Sequence, residues 1–500
     1  MNCLLGIDVS TTATKVMLID ESGNIIGVAS CEYSIQTPHP HWSEQDPKLW
    51  WAGTIEGINE VMIRSDVTSK EIHGIGLTGQ MHGLVLLDNN GKILRPAILW
   101  NDQRTQSQCN KIRSIIGRDK LIHLTGNDAL TGFTAPKILW VKENEPEIFA
   151  SAKHILLPKD YIRYRLTGEY ATDKADASGT LLFDVMKRDW SVEVVDALSI
   201  NKSWLPESFE GTEITGVVTE EAASLTGLLE GTPVVAGAGD QAAQAVGVGA
   251  VEEGVTSITL GTSGVVFAST NKPYIEADGK LHSFCHAISN RWHLMGVMLS
   301  AAGSIKWFHD TFASDLSYDE LNKEIDKIAV NCDGLLFLPY LSGERTPHPD
   351  PLARGSFIGL TLSHSRAHLA RAVMEGVAFG IRDCLELIKE VGLSQSSELR
   401  VSGGGAKSNV WMYIIASVLN SKLITLKTTE GAALGAAILA GLGTKIWADI
   451  TEVVEIVVKQ NRITEPNLND VEQYEKQYQI YKELYPSLKN TFNHIDELNK

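Results

Sequence analysis

Residues 3–20 read CLLGIDVSTTATKVMLID, and residues 256–270 read TSITLGTSGVVFAST. Each is an apolar run, a short loop of small or hydroxylic residues, and a second apolar run. That pattern predicts two β-hairpins. They lie about half a chain apart, a weak internal repeat that predicts an α/β protein of two similar domains. We place the boundary near residue 245, giving domains 1–245 and 246–500 with a helical tail from about 450. The ligand is expected in the cleft between them.

Working outward, Ser22-Gly23-Asn24 turns the chain into a third strand, IIGVASCEYSI. Asp46 and Pro47 then suit the N-cap and first position of a helix. Leu49, Trp50, Ile55, Ile58, Val61 and Met62 supply its apolar stripe. IHGIGLTGQMHGLVLLD (72–88) reads as strand, Gly-rich turn, strand, and residues from about 105 to 230 as mostly helical. In the second half, TPVVAGAGDQ (232–241) is a strand running into a helix. GLLFLPYL, a helix through Leu369 to Ile388, and ELRVSGGG follow. KLITLKT (422–428) is the last clear strand, and a polar amphipathic helix begins near Asp470.

The 500 residues carry 44 Lys and Arg against 61 Asp and Glu, a net charge of −17. This acidity argues against nucleic acid or an anionic membrane as the main partner. It leaves room for phosphate held by backbone N–H groups. No two of the six cysteines form a C-x-x-C pair, so buried thiols in a reducing compartment are expected. The start MNCLLGIDVS has no basic segment and is interrupted by Asp8, unlike a signal peptide. The most membrane-like stretch, 431–443, is too short to span a bilayer. The expectation is a cytoplasmic protein.

Phosphate-loop sequences of the G-x-x-x-x-G-K-[ST] type are absent. Gly237-Ala238-Gly239 is a poor dinucleotide match, because Asp240 would repel a pyrophosphate. Other groups carry the chemistry. Asp8 ends a buried strand before Ser10, Thr11, Thr12, Thr14 and Lys15. Such a loop holds phosphate and Mg²⁺, or is an ordinary turn rich in Asp, Ser and Thr. The Gly261-Thr262-Ser263-Gly264 turn is its counterpart. Gly403-Gly404-Gly405, between a strand and a helix, leaves room for a flat ring, with Ser408 and Asn409 adding polar contacts. Asp240, beside Gln241 at a strand's end, is either a general base for a substrate hydroxyl or a helix N-cap. Gln80, Met81 and His82 suit a polyol or keto oxygen. Trp100, Asp102 and Arg104 suit a sugar, or Asp102 and Arg104 pair with each other.

Nine stretches in order now carry a resemblance: HPHWSEQDPKLWW (39–51), TGQMHG (78–83), RPAILWNDQR (95–104), GFTAPKILWV (132–141), LLPKDYIRYRLTGE (156–169), GAGDQAA (237–243), LGTSG (260–264), LPYLSGERTPH (338–348) and SGGGAKS (402–408). The chain resembles the FGGY carbohydrate kinases over nearly its whole length. The resemblance implies two actin-like (ribonuclease H-like) domains flanking a catalytic cleft. It implies ATP and Mg²⁺ as cofactors, and phosphorylation of D-xylulose to D-xylulose 5-phosphate. It makes Asp240 the base, and Met81 and His82 contacts to the ketose. Asp8 would organise Mg²⁺. Thr11, Thr12, Lys15, Gly261 and Thr262 would touch phosphates, and Gly403, Gly404, Ala406 and Asn409 would flank the adenosine. A homodimer is what the family leads one to expect. Relatives often carry Gly at the position of Ser10, which puts the detail of phosphate contact in question. The competing expectations are a kinase for another ketose or polyol, and an actin- or chaperone-like ATP-binding protein with no sugar substrate.

Overall fold

The computed structural model describes residues 2–394, 398–427 and 430–498. Both expected hairpins form. Cys3–Val9 pairs antiparallel with Ala13–Asp20, setting Asp8 opposite Lys15, and Thr256–Leu260 pairs antiparallel with Gly264–Thr270. Each hairpin is extended in the same way. Its second strand pairs antiparallel with a third, and its first strand pairs in parallel with one reached by a crossover.

Two seven-stranded mixed sheets result. The first runs Ile214–Val217, Pro233–Val235, Ile72–Gly79, Cys3–Val9, Ala13–Asp20, Ile25–Glu32, and Ala238–Gly239 also pairs with Ile72–Gly79. The second runs His282–Cys285, Trp292–Met298, Gly264–Thr270, Thr256–Leu260, Glu398–Ser402, Lys422–Leu426, Gln460–Thr464. The repeat suspected from two loops is therefore a repeat of sheet topology.

Helix Pro47–Ser65 covers one face of the first sheet. Asp46 caps it by accepting from Lys48 N–H at 3.0 Å, and Trp50, Ile58 and Val61 are buried beneath it. The opposite face receives helix Gly431–Gly443 from the second half of the chain. This helix is the stretch that most resembled a membrane segment. It is apolar all round because protein surrounds it. Its approach to the sheet requires glycine: a Cβ on Gly6 would lie 2.0 Å from Ala433 O, and one on Gly76 1.8 Å from Ala436 O. Among the described residues no helix is long and apolar enough to cross a membrane. All six cysteines are buried and unpaired.

Three expectations need correction. Residues 105–230 are helical only in part, and Ile214–Val217 joins the first sheet as an edge strand. A further strand, Gln460–Thr464, follows the one expected to be last; it too is an edge, and its polar side chains lack alternation. The strand expected over 422–428 ends at Leu426, and Thr428 lies outside the described residues. The polar amphipathic helix expected from near Asp470 forms as Leu468–Glu497. It buries Tyr474, Tyr478, Tyr481, Tyr485 and Phe492 against the second core.

Candidate active site

Two cavities meet at one turn, the smaller between the two halves of the chain and the larger within the second half. The smaller, about 150 Å³, takes Met81, His82, Trp100, Phe133, Asp240 and Gln241 from the first half, and Ser263, Val265, Met295, Val297 and Arg345 from the second. The larger, about 450 Å³, is lined by Leu260, Gly261, Thr262, Gly404, Gly405, Ser408 and Trp411, and by Lys306, Tyr318 and Asn322. One turn supplies both walls: Ser263 faces the small cavity, and Gly261 and Thr262 face the large one. Its backbone is anchored, because Thr262 O accepts from Ala301 N–H at 2.8 Å and Gly261 O from Ala302 N–H at 2.8 Å.

Asp240 is the first residue of helix Asp240–Gly247, and Gly239 occupies the N-cap position. The capping alternative is thereby removed. The side chain is half-exposed to the cavity yet surrounded by protein. That burial pushes its carboxyl up to about 6, although hydrogen bonds from Gln241 oppose the rise. Asp8, near the end of its strand, is 8 % exposed, and its buried Oδ1 has no hydrogen-bond partner. Burial, then repulsion from Asp240, pushes the Asp8 carboxyl up to about 7, with Lys15 pulling it down.

His82 takes positive φ at the tip of its turn. Its Nδ1 lies 2.5 Å from Gly179 O, and burial pushes its pKa down to about 3. A neutral ring beside a carbonyl must carry its proton on Nδ1, which leaves Nε2 an acceptor. The turn is pinned from below, since buried Lys137 Nζ donates to His82 O at 2.8 Å and to Gly132 O at 2.6 Å. Lys137 belongs to the GFTAPKILWV stretch and was missed, because a lysine in an apolar helix carries no sequence signal of what it bonds.

Gln80 and Asp102 do not line the small cavity. Gln80 is buried below the turn, its Nε2 3.3 Å from Gln45 Oε1. Asp102 is fully buried. It accepts from Arg104 Nη2 at 2.7 Å and from Ser43 N–H at 2.7 Å, and Arg104 stacks 3.6 Å from the Trp42 ring. Of the two readings left open for this pair, the ion pair is the one observed. Trp100 does line the cavity, and its Nε1 donates to Thr11 Oγ1 at 2.9 Å.

The first loop is closed by its own serine: Ser10 Oγ donates to Ala13 O at 2.7 Å, and Tyr33 Oη donates to Ser10 O at 2.7 Å. Ser10 has no positive φ, so this turn does not require glycine. Thr12 is exposed and Thr11 half-buried. Lys15 is engaged by Glu430.

On the glycine-rich corner, Gly404 faces the large cavity, whereas Gly403, Ala406 and Asn409 do not line it. Gly403 turns the chain at φ 89°, with Leu260 O 2.6 Å from where a Cβ would sit. The cavity wall on this segment is instead Gly404, Gly405, Lys407 and Ser408. Ser408 caps the next helix and donates to Asn322 Oδ1 at 3.0 Å. Lys306, Tyr318 and Asn322 come from two helices that present no recognisable motif.

Known proteins share this arrangement. Residues 3–247 match the model of the N-terminal domain of the FGGY family of carbohydrate kinases, and residues 256–444 that of its C-terminal domain. The xylulose kinase of Lactococcus lactis is 41 % identical over 100 % of this chain and 99 % of its own. That of Escherichia coli is 39 % identical over 97 % of this chain and 99 % of its own. The crystal structure of a ligand-bound xylulose kinase from Lactobacillus acidophilus superposes with a TM-score of 0.94 at 27 % identity, covering 99 % of this chain and 100 % of that one. Two actin-like domains, repeated sheet topology and matches to both halves lead to one assignment: the chain belongs to the FGGY family of carbohydrate kinases.

Proposed function

We propose that the protein transfers the γ-phosphoryl group of ATP to the primary hydroxyl of D-xylulose, giving D-xylulose 5-phosphate and ADP. The observation that carries this is the shared turn: Ser263 faces the cavity that holds Asp240, and Gly261 and Thr262 face the other. A group bound in the large cavity thus meets one in the small cavity at a single anchored strip of backbone. The full-length relatives named as xylulose kinases support the choice of sugar.

In this reading the sugar lies in the small cavity with its terminal hydroxyl at Asp240. The carboxylate accepts that proton as the oxygen attacks phosphorus. A carboxyl raised to about 6 is ionised at neutral pH, yet is a stronger base than an ordinary aspartate. His82 Nε2 accepts from a sugar hydroxyl, and Trp100 and Phe133 wall the ring-free chain. The Gly261-Thr262 N–H groups face the transferring phosphoryl group. ATP occupies the large cavity, its base near Gly404, Gly405 and Ser408.

Asp8 fits Mg²⁺. It is a buried carboxylate with an unpartnered oxygen, held at high pKa partly by a second carboxylate, so a cation there relieves both. No closed cluster of three such ligands exists among the described residues. Bound at Asp8, Mg²⁺ would supply charge neutralisation at the phosphates.

The test is ADP release with Mg·ATP against D-xylulose, D-ribulose, L-ribulose, glycerol, D-gluconate and no sugar. Release confined to D-xylulose upholds the proposal. Release with another sugar keeps the kinase and overturns the sugar. Sugar-independent release alone moves the protein to the nucleotide-dependent binding class.

A further inference from the structure

The stretch LPYLSGERTPH (338–348) ends in a charge with no part yet in the mechanism. Arg345 lines the small cavity, where it is the only cation and Asp240 the only carboxylate. Its backbone is fixed on both sides. Thr346 N–H donates to Val297 O at 3.0 Å, Val297 N–H donates back to Thr346 Oγ1 at 3.1 Å, and Leu299 N–H donates to Glu344 Oε1 at 2.9 Å. The arginine is thus tied to strand Trp292–Met298, which also supplies the cavity wall.

Other enclosed arginines of this chain each have at least one partner: Arg104 has Asp102, Arg163 has Val235 O, Arg188 has Glu210, and Arg371 has Glu375. Among the described residues, the Arg345 guanidinium has neither a hydrogen bond nor an ion pair. Its neighbour Glu344 attracts it but forms no ion pair with it. Glu344 Oε1 accepts from the Leu299 and Arg345 N–H groups, and burial pushes the carboxyl up to about 8 although Arg345 opposes the rise. An enclosed guanidinium with five donors and no acceptor calls for oxygen from a ligand.

Its place in the cavity is also defined. The charge of Arg345 lowers the pKa of His82 and of His282, whereas the groups that shift Asp240 do not include it. Arg345 therefore lies within electrostatic reach of His82, on the wall of the cavity that Asp240 also lines. The cavity thus offers a donor, Arg345, and an acceptor, His82 Nε2. A 2-ketose offers the matching pair at its far end: a C2 carbonyl that only accepts, and a C1 hydroxyl that can donate.

We propose that Arg345 is the residue that recognises the ketone: its guanidinium donates to the C2 carbonyl of the open-chain sugar while His82 accepts from the C1 hydroxyl. This rests on the small cavity being the sugar site. The arrangement extends the sugar toward Asp240 and distinguishes a ketose from the corresponding polyol.

The test measures equilibrium binding of three sugars to the nucleotide-free protein, which needs no turnover: D-xylulose, 1-deoxy-D-xylulose and xylitol. Arg345→Ala should weaken D-xylulose and 1-deoxy-D-xylulose by about 10–100-fold, as expected for a hydrogen bond from a charged donor. Xylitol, whose tetrahedral C2 hydroxyl is a weaker acceptor set off the carbonyl plane, should weaken less, by under about 3-fold. Arg345→Lys keeps the charge and loses the fork, so it should show the same ordering with a smaller ratio, and it serves if the alanine variant does not fold. Equal weakening of D-xylulose and xylitol would make the residue structural and overturn the proposal, as would unchanged D-xylulose binding. Trp100→Ala separates the premise: if neither it nor Arg345→Ala alters binding of any of these sugars, the small cavity is not the sugar site.

Discussion

Lys15 Nζ lies 2.6 Å from Glu430 Oε2, joining the first hairpin to the residue that precedes helix Gly431–Gly443. The pair clamps the second half of the chain to the loop expected to hold phosphate. Both side chains are about one-third exposed, at 34 % and 33 %, so the bridge itself adds little stability. Lys15 is therefore free to exchange Glu430 for an ATP phosphate at small cost. Lys15→Met should leave the melting temperature within about 2 °C, equivalent to under ~0.5 kcal/mol. It should raise the KM for ATP by about 5–10-fold, the worth of one charged phosphate contact, with the KM for sugar unchanged. A KM for ATP that does not move would remove Lys15 from the nucleotide site.

The raised carboxyl of Asp240 sets a pH dependence. The base works ionised, so turnover should fall as pH drops through about 6 and stay level above it. Stability moves the other way. A carboxyl whose folded pKa lies above its unfolded one favours the folded state when protonated, and that advantage is lost as pH rises from about 4 through about 6. Asp240→Asn should therefore abolish turnover and stabilise the protein at pH 7.5 by roughly 1–3 kcal/mol. Denaturant unfolding of both proteins at pH 7.5 and pH 4 decides it, since the difference should shrink at the lower pH.

Beneath the cavity floor lies a fully buried charge cluster. Lys159 Nζ is 2.5 Å from Asp160, 2.6 Å from Asp173 and 3.3 Å from Asp176, and Arg163 is alongside. Two cations face three carboxylates, so near-neutrality requires one carboxylate to keep its proton. Burial raises both Asp173 and Asp176, and we assign the proton to Asp176, which lies farthest from Lys159 of the three carboxylates. Asp176→Asn should then cost less than about 1 kcal/mol, because a neutral amide replaces a neutral acid. Lys159→Met leaves carboxylates without their cation and should cost about 3–5 kcal/mol. Equal losses in the two variants, read by urea unfolding, would show that Asp176 is ionised.

The sequence made the hairpins, the main helices and most cavity residues legible, and physics explains where it stopped. Asp8, Met81, His82 and Asp240 stand at or beside strand ends and turn tips, which the strand–turn–strand patterns mark in the sequence. Three of them, Met81, His82 and Asp240, line the small cavity. Asp102 was ambiguous because a carboxylate two residues from an arginine satisfies either reading, and only the Trp42 and Glu44 partners, about 60 positions away, decide between them. Lys306, Tyr318 and Asn322 were invisible because they lie on amphipathic helices, where polar residues at that spacing are ordinary solvent-facing surface. The edge strands 214–217 and 460–464 were missed because one-sided pairing relaxes the demand for alternating apolar residues.

The glycine-rich corner offers a sharper separation of scaffold from site. Gly403 and Gly404 are adjacent, yet their surroundings are opposite. A Cβ on Gly403 would meet Leu260 O at 2.6 Å in a backbone held at φ 89°, whereas one on Gly404 meets nothing within 4 Å. Gly403→Ala should thus destabilise the fold by about 1–3 kcal/mol through strain at positive φ. Gly404→Val should leave stability within about 1 kcal/mol, since the added methyls enter the large cavity and displace no protein atom. Those methyls occupy the space proposed for the adenosine, so the KM for ATP should rise by about 10-fold or more, some 1.4 kcal/mol of lost binding, with sugar affinity intact. Thermal melts and ATP titrations on the two variants check this. If Gly404→Val binds ATP normally, the nucleotide base lies elsewhere in the large cavity, against the Lys306 and Tyr318 wall.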